Sequence, residues 1–310
     1  MGGLLARAAV AATALLLIAA GPYLSREELR AKYGERAGRI AVIEGIETYY
    51  QEAGRGPAVL LVHASSSNQR AWDGVAKVLA KRYRVIRYDI PPQGLSGPVT
   101  AEQLAKVKPV DIAEGLLRQL GVTKVTVVAV SSGGTLAIQL AAKRPDLVTR
   151  IVVSNAPSDP VEGARPAYTK EFLDAMAEAK RTGVQTQAYW NTFVDFFGGS
   201  PAQYGKGDRE QFYDYARKTP DPNMIALIAK VRDHEAAVAN MAAVKQPVLL
   251  LWGAKDPLLP LSAMDKMAGY LTNATVSKLI LPDGGHYPPI EMPARFARLV
   301  EAFIEDVDPQ

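Results

Sequence analysis

Short apolar runs alternate with helical stretches along most of this chain of 310 residues. Strands that are apolar on both faces and are separated by helices predict a parallel sheet covered by helices on both sides. The tight Glu44-Gly45 pair joins the first two runs, which predicts an antiparallel hairpin at one edge. The fold class is therefore α/β, with a mostly parallel sheet of eight strands. The predicted strands are Ile40–Ile43, Glu47–Gln51, Ala58–His63, Arg84–Tyr88, Val125–Val130, Arg150–Ser154, Val248–Trp252 and Val276–Leu281. The helices predicted between them are Ala71–Lys81, Val110–Leu120, Ser132–Arg144, Ser262–Leu271 and Pro293–Asp306.

The alternation stops between about Pro157 and Val244, where the sequence is helical throughout. Because ligands of open α/β sheets bind at the carboxyl ends of the strands, an all-helical insertion between two strands predicts a lid over that edge. We assign residues 39–158 and 245–310 to the core and residues 159–244 to the lid. The helices predicted in the lid are Tyr168–Arg181, Val184–Phe197, Asp208–Lys218 and Asn223–Asn240.

The first 24 residues contain an apolar run from Ala8 to Ala20, which is preceded by Arg7 and followed by Gly21-Pro22. This pattern predicts either an export signal or an uncleaved membrane anchor over residues 4–24. Cleavage at the best small-residue site would leave Pro22 first, so the sequence does not decide between the two. Either interpretation predicts an exported or membrane-anchored protein at the periplasmic face of a bacterial inner membrane. The charged residues 25–38 are predicted to form a surface helix or a linker.

The charges exclude some classes of partner. The chain has 36 basic and 32 acidic residues, which are spread rather than clustered, so no nucleic-acid surface is predicted. It has no cysteine, which excludes disulfides, a thiolate zinc site and a cysteine nucleophile. No metal site and no cofactor are predicted, and no glycine-rich dinucleotide motif follows a strand. The sequence does not indicate the oligomeric state.

The strongest local pattern is the strand Val125–Val130, which runs directly into a helix beginning at Ser132. A nucleophile on such a sharp turn needs small residues two positions before and after it. Ala129 and Gly133 meet this requirement for Ser131, whereas Ser132 as the nucleophile would place β-branched Val130 in the first small position. We therefore predict Ser131 as the nucleophile. The alternative is that the serines only cap the helix.

A serine nucleophile requires a base, and the chain has three histidines. His286 lies on a glycine-flanked loop after the last predicted strand, whereas His234 is predicted within a lid helix. Asp256 follows the seventh strand and is the predicted carboxylate behind the base, so that the chain order is Ser, Asp, His. Asp159, just after the sixth strand, is the alternative acid.

An oxyanion hole needs two N–H donors near the nucleophile. We predict the backbone N–H groups of Ser132, directly after the nucleophile, and of Ser65, in the loop after the third strand. Ser66 and Ser67 in the same loop could add hydroxyl donors, but we favour the interpretation that they cap a helix.

Aromatic side chains form one helical stripe in the lid. The stripe could line an acyl or aryl pocket that binds the substrate, or it could only pack the lid on the core, and the sequence leaves both open. Its members are Tyr189, Trp190, Phe193, Phe196 and Phe197.

From about Arg39 to Val307 the chain resembles the α/β-hydrolase fold family, in its serine-nucleophile branch with a helical lid. The resemblance is carried by His63-Ala64, by Arg87-Tyr88-Asp89 through Gly94-Leu95-Ser96, and by Ser131, Asp256 and His286 in the family's order. It implies that His63 braces the oxyanion loop. Ala64, Pro92 and Ala129 replace glycines of the family pattern. The N-terminal segment is similar to that of a membrane-anchored bacterial subgroup.

These residues predict a hydrolase that cleaves a carboxylic ester or lactone through an acyl-enzyme, with a medium-sized, apolar small molecule as its substrate. The same three side chains could instead hydrolyse a carbon–carbon bond or catalyse cofactor-free perhydrolysis. A third possibility is a ligand receptor that has kept the fold without catalysis.

Overall fold

The computed structural model describes residues 22–158, 168–223 and 234–306. Within them, eight strands form one sheet in the order β1-β2-β4-β3-β5-β6-β7-β8. The strands are β1 (Arg39–Ile43), β2 (Ile46–Ala53), β3 (Ala58–Val62), β4 (Arg84–Tyr88), β5 (Val125–Val130), β6 (Val148–Ser154), β7 (Val248–Gly253) and β8 (Val276–Leu281). β2 pairs with β1 and with β4 in antiparallel fashion, and the other neighbouring strands are parallel. The predicted mostly parallel sheet of eight strands with an antiparallel edge hairpin is confirmed.

Helices cover both faces of this sheet. Alternate residues of the central strands point to opposite faces, so that Val128 and Val130 join one apolar cluster, whereas Val127 and Ala129 join the other. Helices α2 (Asp73–Leu79) and α12 (Pro293–Asp306) contribute to the first cluster. The second includes residues of α4 (Pro109–Gln119), α5 (Ser132–Lys143), α9 (His234–Ala243) and α10 (Leu261–Tyr270).

Two short helices differ from the sequence predictions. Helix α3 (Ala101–Lys106) buries no residue and therefore has no apolar stripe that periodicity could detect; a capping box between Thr100 and Gln103 begins it. Helix α11 (Pro288–Glu291) is a single turn. In addition, the start of the predicted helix Ala71–Lys81 is a 3₁₀ turn, Gln69–Trp72, which precedes α2.

The described part of the insertion is helical, as expected. It contains α6 (Lys170–Thr182), α7 (Gln187–Phe197) and α8 (Lys206–Ala216). The predicted helix Asn223–Asn240 lies partly outside the described residues, and α9 begins at His234.

The charged stretch predicted as a surface helix or linker contains helix α1 (Arg26–Tyr33), which is docked on the fold. Its Leu29 is 0 % exposed and packs with Tyr49 and Leu95. The Lys32 ammonium donates to the carboxylate of the buried Asp214 of α8 at 2.6 Å. At least one charge of this stretch therefore binds another part of the fold and is not simply solvated. The predicted signal or anchor lies almost entirely outside the described residues, because these begin at residue 22. Among the helices that the structure describes, none has the length and apolar character needed to cross a bilayer.

Candidate active site

Ser131 occupies the sharp turn between β5 and α5. Its backbone angles are φ 53° and ψ −132°, in a region that non-glycine residues rarely adopt. The side chain makes no capping hydrogen bond to the helix, in contrast to the alternative in which Ser131 only caps it. Two residues on, a Cβ atom at Gly133 would lie 2.5 Å from the carbonyl oxygen of His63 and 2.7 Å from that of Val62. The close approach of β3 therefore requires the small residue that the sequence pattern indicated.

Ser131, His286 and Asp256 form a continuous hydrogen-bonded chain. The Ser131 Oγ lies 3.1 Å from Nε2 of His286, and Nδ1 of His286 lies 2.7 Å from Oδ2 of Asp256. The exposed fractions of His286 and Asp256 are 2 % and 6 %. The structure thus brings together three side chains that come from the ends of β5, β7 and β8 along the chain.

The carboxylate of Asp256 is held by further donors. The N–H groups of Leu258 and Leu259 donate to Oδ1 at 2.8 and 3.0 Å, and the Asn155 amide donates to Oδ2 at 2.7 Å. Burial opposes ionisation, but the adjoining imidazole of His286 and these hydrogen bonds hold the pKa of Asp256 below its ordinary value. An ionised Asp256 accepts a hydrogen bond from the Nδ1–H group of His286, which leaves Nε2 unprotonated and able to accept a hydrogen bond from the Ser131 hydroxyl.

Asn155 is a site residue that the sequence analysis missed. It directly follows β6, is fully buried and has a φ of 45°. Its Oδ1 accepts from the Gly253 N–H and from the Ser154 hydroxyl, both at 3.0 Å, which orients its NH₂ group toward Asp256. A polar residue at the end of a strand at the same sheet edge was the available signal. Asp159, the alternative acid, lies outside the described residues.

The two residues predicted to provide the oxyanion donors, Ser65 and Ser132, are in contact, but the Ser65 N–H already donates to an acceptor within the protein. The Ser65 N–H donates to the Ser132 Oγ at 2.8 Å, and the two hydroxyl oxygens are 2.7 Å apart. This arises because Ser65 and Ser132 follow the neighbouring parallel strands β3 and β5. The Ser132 N–H lies at the first position of α5, where an N–H has no acceptor within the helix.

The loop after β3 is braced by backbone contacts. Nε2 of His63 accepts from the Ile90 N–H at 2.9 Å, so the ring proton is on Nδ1, which donates to the Ala64 carbonyl at 2.7 Å. Burial lowers the pKa of His63 to about 4. Ser66 and Ser67 were predicted as caps, but the residue that caps the 3₁₀ turn is Asn68, whose Oδ1 accepts from the Arg70 N–H.

The aromatic stripe of α7 reaches the site through Phe197. The Phe197 ring is 5.7 Å from the His286 ring, and its carbonyl accepts from the His286 N–H at 2.8 Å. The Phe193 ring packs in a tilted arrangement against Phe197, with 4.5 Å between the ring centroids, and Trp190 packs in the same way against Phe193, with 4.9 Å between the centroids. Tyr189 contacts Trp190 and Phe172, farther from His286. Of the stripe residues that could contact a substrate, Phe197 is therefore the one that touches His286, and Tyr189, Trp190, Phe193 and Phe196 pack in the cluster around it.

A cleft of about 230 Å³ opens beside this site, between the insertion and the loop after β3. Its walls include Ser66, Ser67, Phe212, Pro289 and Ile290, but not Ser131, His286 or Asp256. The cleft therefore flanks the two loops that carry the site and does not contain the three side chains themselves.

A family model described as alpha/beta hydrolase fold matches residues 57–293. The pimeloyl-[acyl-carrier protein] methyl ester esterase of Nitrosomonas europaea is 27 % identical, over 82 % of this chain and 98 % of the esterase. The 2-hydroxymuconate semialdehyde hydrolase of Pseudomonas sp. CF600 is also 27 % identical, over 87 % of this chain and 95 % of that protein. The crystal structure of the enol-lactonase from Burkholderia xenovorans LB400 has the same fold, with a TM-score of 0.68, 19 % identity, and coverage of 86 % of this chain and 100 % of the lactonase. Because the family model spans well over half of the 310 residues, the chain belongs to the α/β-hydrolase family and is a hydrolase.

Proposed function

We propose that the chain is a serine hydrolase that cleaves a carboxylic ester or lactone through an acyl-enzyme, with Ser131 as nucleophile, His286 as base and Asp256 as the orienting acid. The observation that carries this proposal is the hydrogen-bonded chain from the Ser131 Oγ through His286 to Asp256, with contacts of 3.1 and 2.7 Å. A serine hydroxyl is a poor nucleophile unless a positioned base takes its proton, and this chain supplies one.

The reaction takes place in two halves. Ser131 Oγ attacks the acyl carbon while its proton moves to Nε2 of His286, and the carboxylate of Asp256 stabilises the imidazolium that forms. The imidazolium then gives the proton to the departing alkoxide oxygen, and the acyl group remains on Ser131. In the second half, His286 takes a proton from water, the hydroxide attacks the acyl carbon, and Ser131 leaves with the proton returned from His286.

Two N–H groups stabilise the oxyanion in this proposal. The Ser132 N–H lies next to the nucleophile and at the positive end of α5. The Ser65 N–H can serve only when the Ser132 hydroxyl, which accepts from it at 2.8 Å, rotates away. The free enzyme therefore protects this donor with its own side chain, and substrate binding replaces that contact.

An apolar acyl or aryl group is the favoured substrate part. Phe197 borders His286, and it is continuous with the buried rings of Phe193 and Trp190. A relative of similar length is named an esterase of a methyl ester, which supports an ester as the bond that is cleaved. No metal or cofactor takes part in the proposed steps.

Fluorophosphonate labelling followed by peptide mapping tests this proposal directly. We expect a single adduct on Ser131 in the full-length protein and none in Ser131→Ala. Turnover of p-nitrophenyl acetate should follow the same pattern. Equal inertness of wild type and Ser131→Ala toward the probe and toward short esters would favour a ligand receptor instead.

The bond cleaved is decided by a substrate panel. It contains p-nitrophenyl esters, a lactone, a diketone and 2-hydroxymuconate semialdehyde, the last because a relative matching over 87 % of this chain is named for it. Each is assayed with and without peroxide. Preference for the diketone or the semialdehyde, or for the peroxide reaction, would replace the ester proposal while keeping the same three side chains.

We further propose that the protein is exported or membrane-anchored, on the basis of the apolar run Ala8–Ala20. Fractionation of expressing bacteria, followed by carbonate extraction of the membranes, separates the two cases. Recovery of the whole chain in the cytosol would contradict both.

A further inference from the structure

Glu291 lies at the end of α11 and is only 6 % exposed. Its carboxylate accepts four hydrogen bonds. Oε2 accepts from the N–H groups of Gly285 at 2.6 Å and Gly199 at 3.1 Å. Oε1 accepts from the N–H of Tyr287 at 2.9 Å and from the hydroxyl of Tyr204 at 3.1 Å. A buried carboxylate is costly unless it is well hydrogen-bonded, and here both oxygens are used twice.

Two of these donors flank the proposed base. Gly285 and Tyr287 are the residues before and after His286, and the N–H of His286 itself donates to the Phe197 carbonyl at 2.8 Å. The three consecutive N–H groups of this loop are therefore held by two acceptors, the Glu291 carboxylate and one carbonyl of the insertion. The loop has no regular secondary structure of its own at this point. These contacts therefore fix the backbone position of His286, from which the imidazole extends.

The other two donors come from the insertion. Gly199 and Tyr204 follow α7, whose last residue Phe197 supplies the carbonyl that binds His286. Burial raises the pKa of Tyr204 well above its ordinary value, so its hydroxyl stays protonated and donates. One carboxylate thus joins the loop of the base to the segment that follows α7.

We infer that Glu291 is a positioning residue, which aligns His286 with Ser131 and Asp256 and makes this alignment depend on the seating of the segment 197–204. The consequence for catalysis rests on the proposed function, because it assumes that His286 is the base. The alignment itself does not. A carboxylate is required because an amide offers one acceptor oxygen and an NH₂ group, and on either oxygen of Glu291 at least one donor is a backbone N–H that cannot turn away.

The experiment compares Glu291→Gln with wild type in the full chain. Glu301→Gln, on the neighbouring helix α12, is the matched control for loss of one carboxylate. We expect kcat on a p-nitrophenyl ester to fall about 100-fold in Glu291→Gln with KM changed less than about threefold, because small misplacements of a catalytic group cost about this much. Glu301→Gln should stay within about twofold of wild type in both constants.

A spectroscopic measurement separates positioning from a general loss of structure. The imidazole proton shared by His286 Nδ1 and Asp256 gives a downfield proton resonance, which is assigned by its loss in His286→Gln. We expect it to shift or broaden in Glu291→Gln while the circular dichroism spectrum is unchanged. If Glu291→Gln does not fold, Tyr204→Phe decides, because it removes one donor only: we expect kcat to fall about threefold or more, with the resonance displaced.

Unchanged kcat and an unchanged resonance in Glu291→Gln, or in Tyr204→Phe where that variant decides, would overturn the inference. Failure of the proposed function would give a different result, because wild type itself would then be inert toward esters. In that case the response of the resonance to Glu291→Gln would still show whether Glu291 positions His286.

Discussion

Two loops at the carboxyl edge of the sheet each present a buried histidine. The loop after β3 carries His63, which is 0 % exposed, and the loop after β8 carries His286, which is 2 % exposed. They differ in what their ring nitrogens contact. Both nitrogens of His63 contact the backbone, at the Ala64 carbonyl and the Ile90 N–H. Those of His286 contact a carboxylate and a hydroxyl.

This difference separates a structural histidine from one suited to proton transfer. A backbone carbonyl and a backbone N–H hold one tautomer and offer no proton that can be exchanged. Asp256 can stabilise a protonated His286, and Ser131 can supply the proton. Burial alone therefore says little about function, and the type of partner at each nitrogen says more.

The largest expected effect contrasts the two histidines directly. His286→Gln should lower kcat/KM for p-nitrophenyl acetate by roughly 10⁴-fold or more, because Ser131 loses its base. His63→Gln should lower it by less than about 10-fold, since Gln can still accept from the Ile90 N–H. Comparable losses in the two folded variants would mean that both rings serve the reaction, and the contrast would fail.

Each of the two histidine loops has a buried carboxylate near it, Asp256 beside His286 and Asp89 beside the loop of His63. Asp256→Asn should lower kcat by roughly 10³–10⁴-fold, because an amide no longer fixes the tautomer of His286 or stabilises its charge. Asp89, which accepts from the Gln69 and Leu95 N–H groups near His63, provides the matched control. Asp89→Asn should lower the thermal stability of the protein, whereas its kcat should fall far less than that of Asp256→Asn. The reverse ranking of the two variants in a kcat assay would refute this assignment.

The burial of His63 should make the free energy of unfolding depend on pH. Burial lowers the pKa of His63 from 6.5 to about 4, so the unfolded chain takes up a proton in this range that the folded chain does not. The unfolding free energy contributed by neutral His63 is therefore present above about pH 6.5 and is lost as the pH falls toward 4. Its size is about 3 kcal/mol over the whole interval.

Denaturant unfolding of wild type and His63→Gln between pH 4 and 7 measures this contribution. The stability difference between the two should shrink as the pH falls. Burial raises the pKa of Asp89 to about 6, which acts with the opposite sign in both proteins, so the difference rather than the wild-type curve isolates His63. A difference that is constant across this range would show that His63 does not titrate as its burial requires.

The smallest effect is expected at Ser132. Ser132→Ala removes the acceptor that binds the Ser65 N–H in the free enzyme, so this donor becomes available to the oxyanion without a side-chain rotation. We expect kcat/KM to rise by about two- to fivefold, equivalent to less than about 1 kcal/mol. A fall of 10-fold or more would instead mean that the Ser132 hydroxyl itself donates to the oxyanion.

Much of this architecture could be predicted from the sequence because its signals are local. Strand and helix periods differ, so the eight strands and the helical insertion were recognised, with boundary shifts of a few residues. The turn from β5 into α5 without a loop singled out Ser131. The order of Ser131, Asp256 and His286, each just after a predicted strand, indicated side chains that could meet at one edge.

Contacts between distant residues were decided only by the tertiary structure. Asn155 reaches Asp256, and Glu291 holds both Gly285 and the insertion residue Gly199. The Ser65 N–H donates a hydrogen bond to the Ser132 hydroxyl and is therefore not free to bind an oxyanion. No periodicity encodes these contacts, because each depends on the spacing of neighbouring strand ends and on the rotamers that the packing allows. The sequence alone determined which side chains could meet at this edge of the sheet, and the packing of strands and insertion determined which hydrogen bonds they form there.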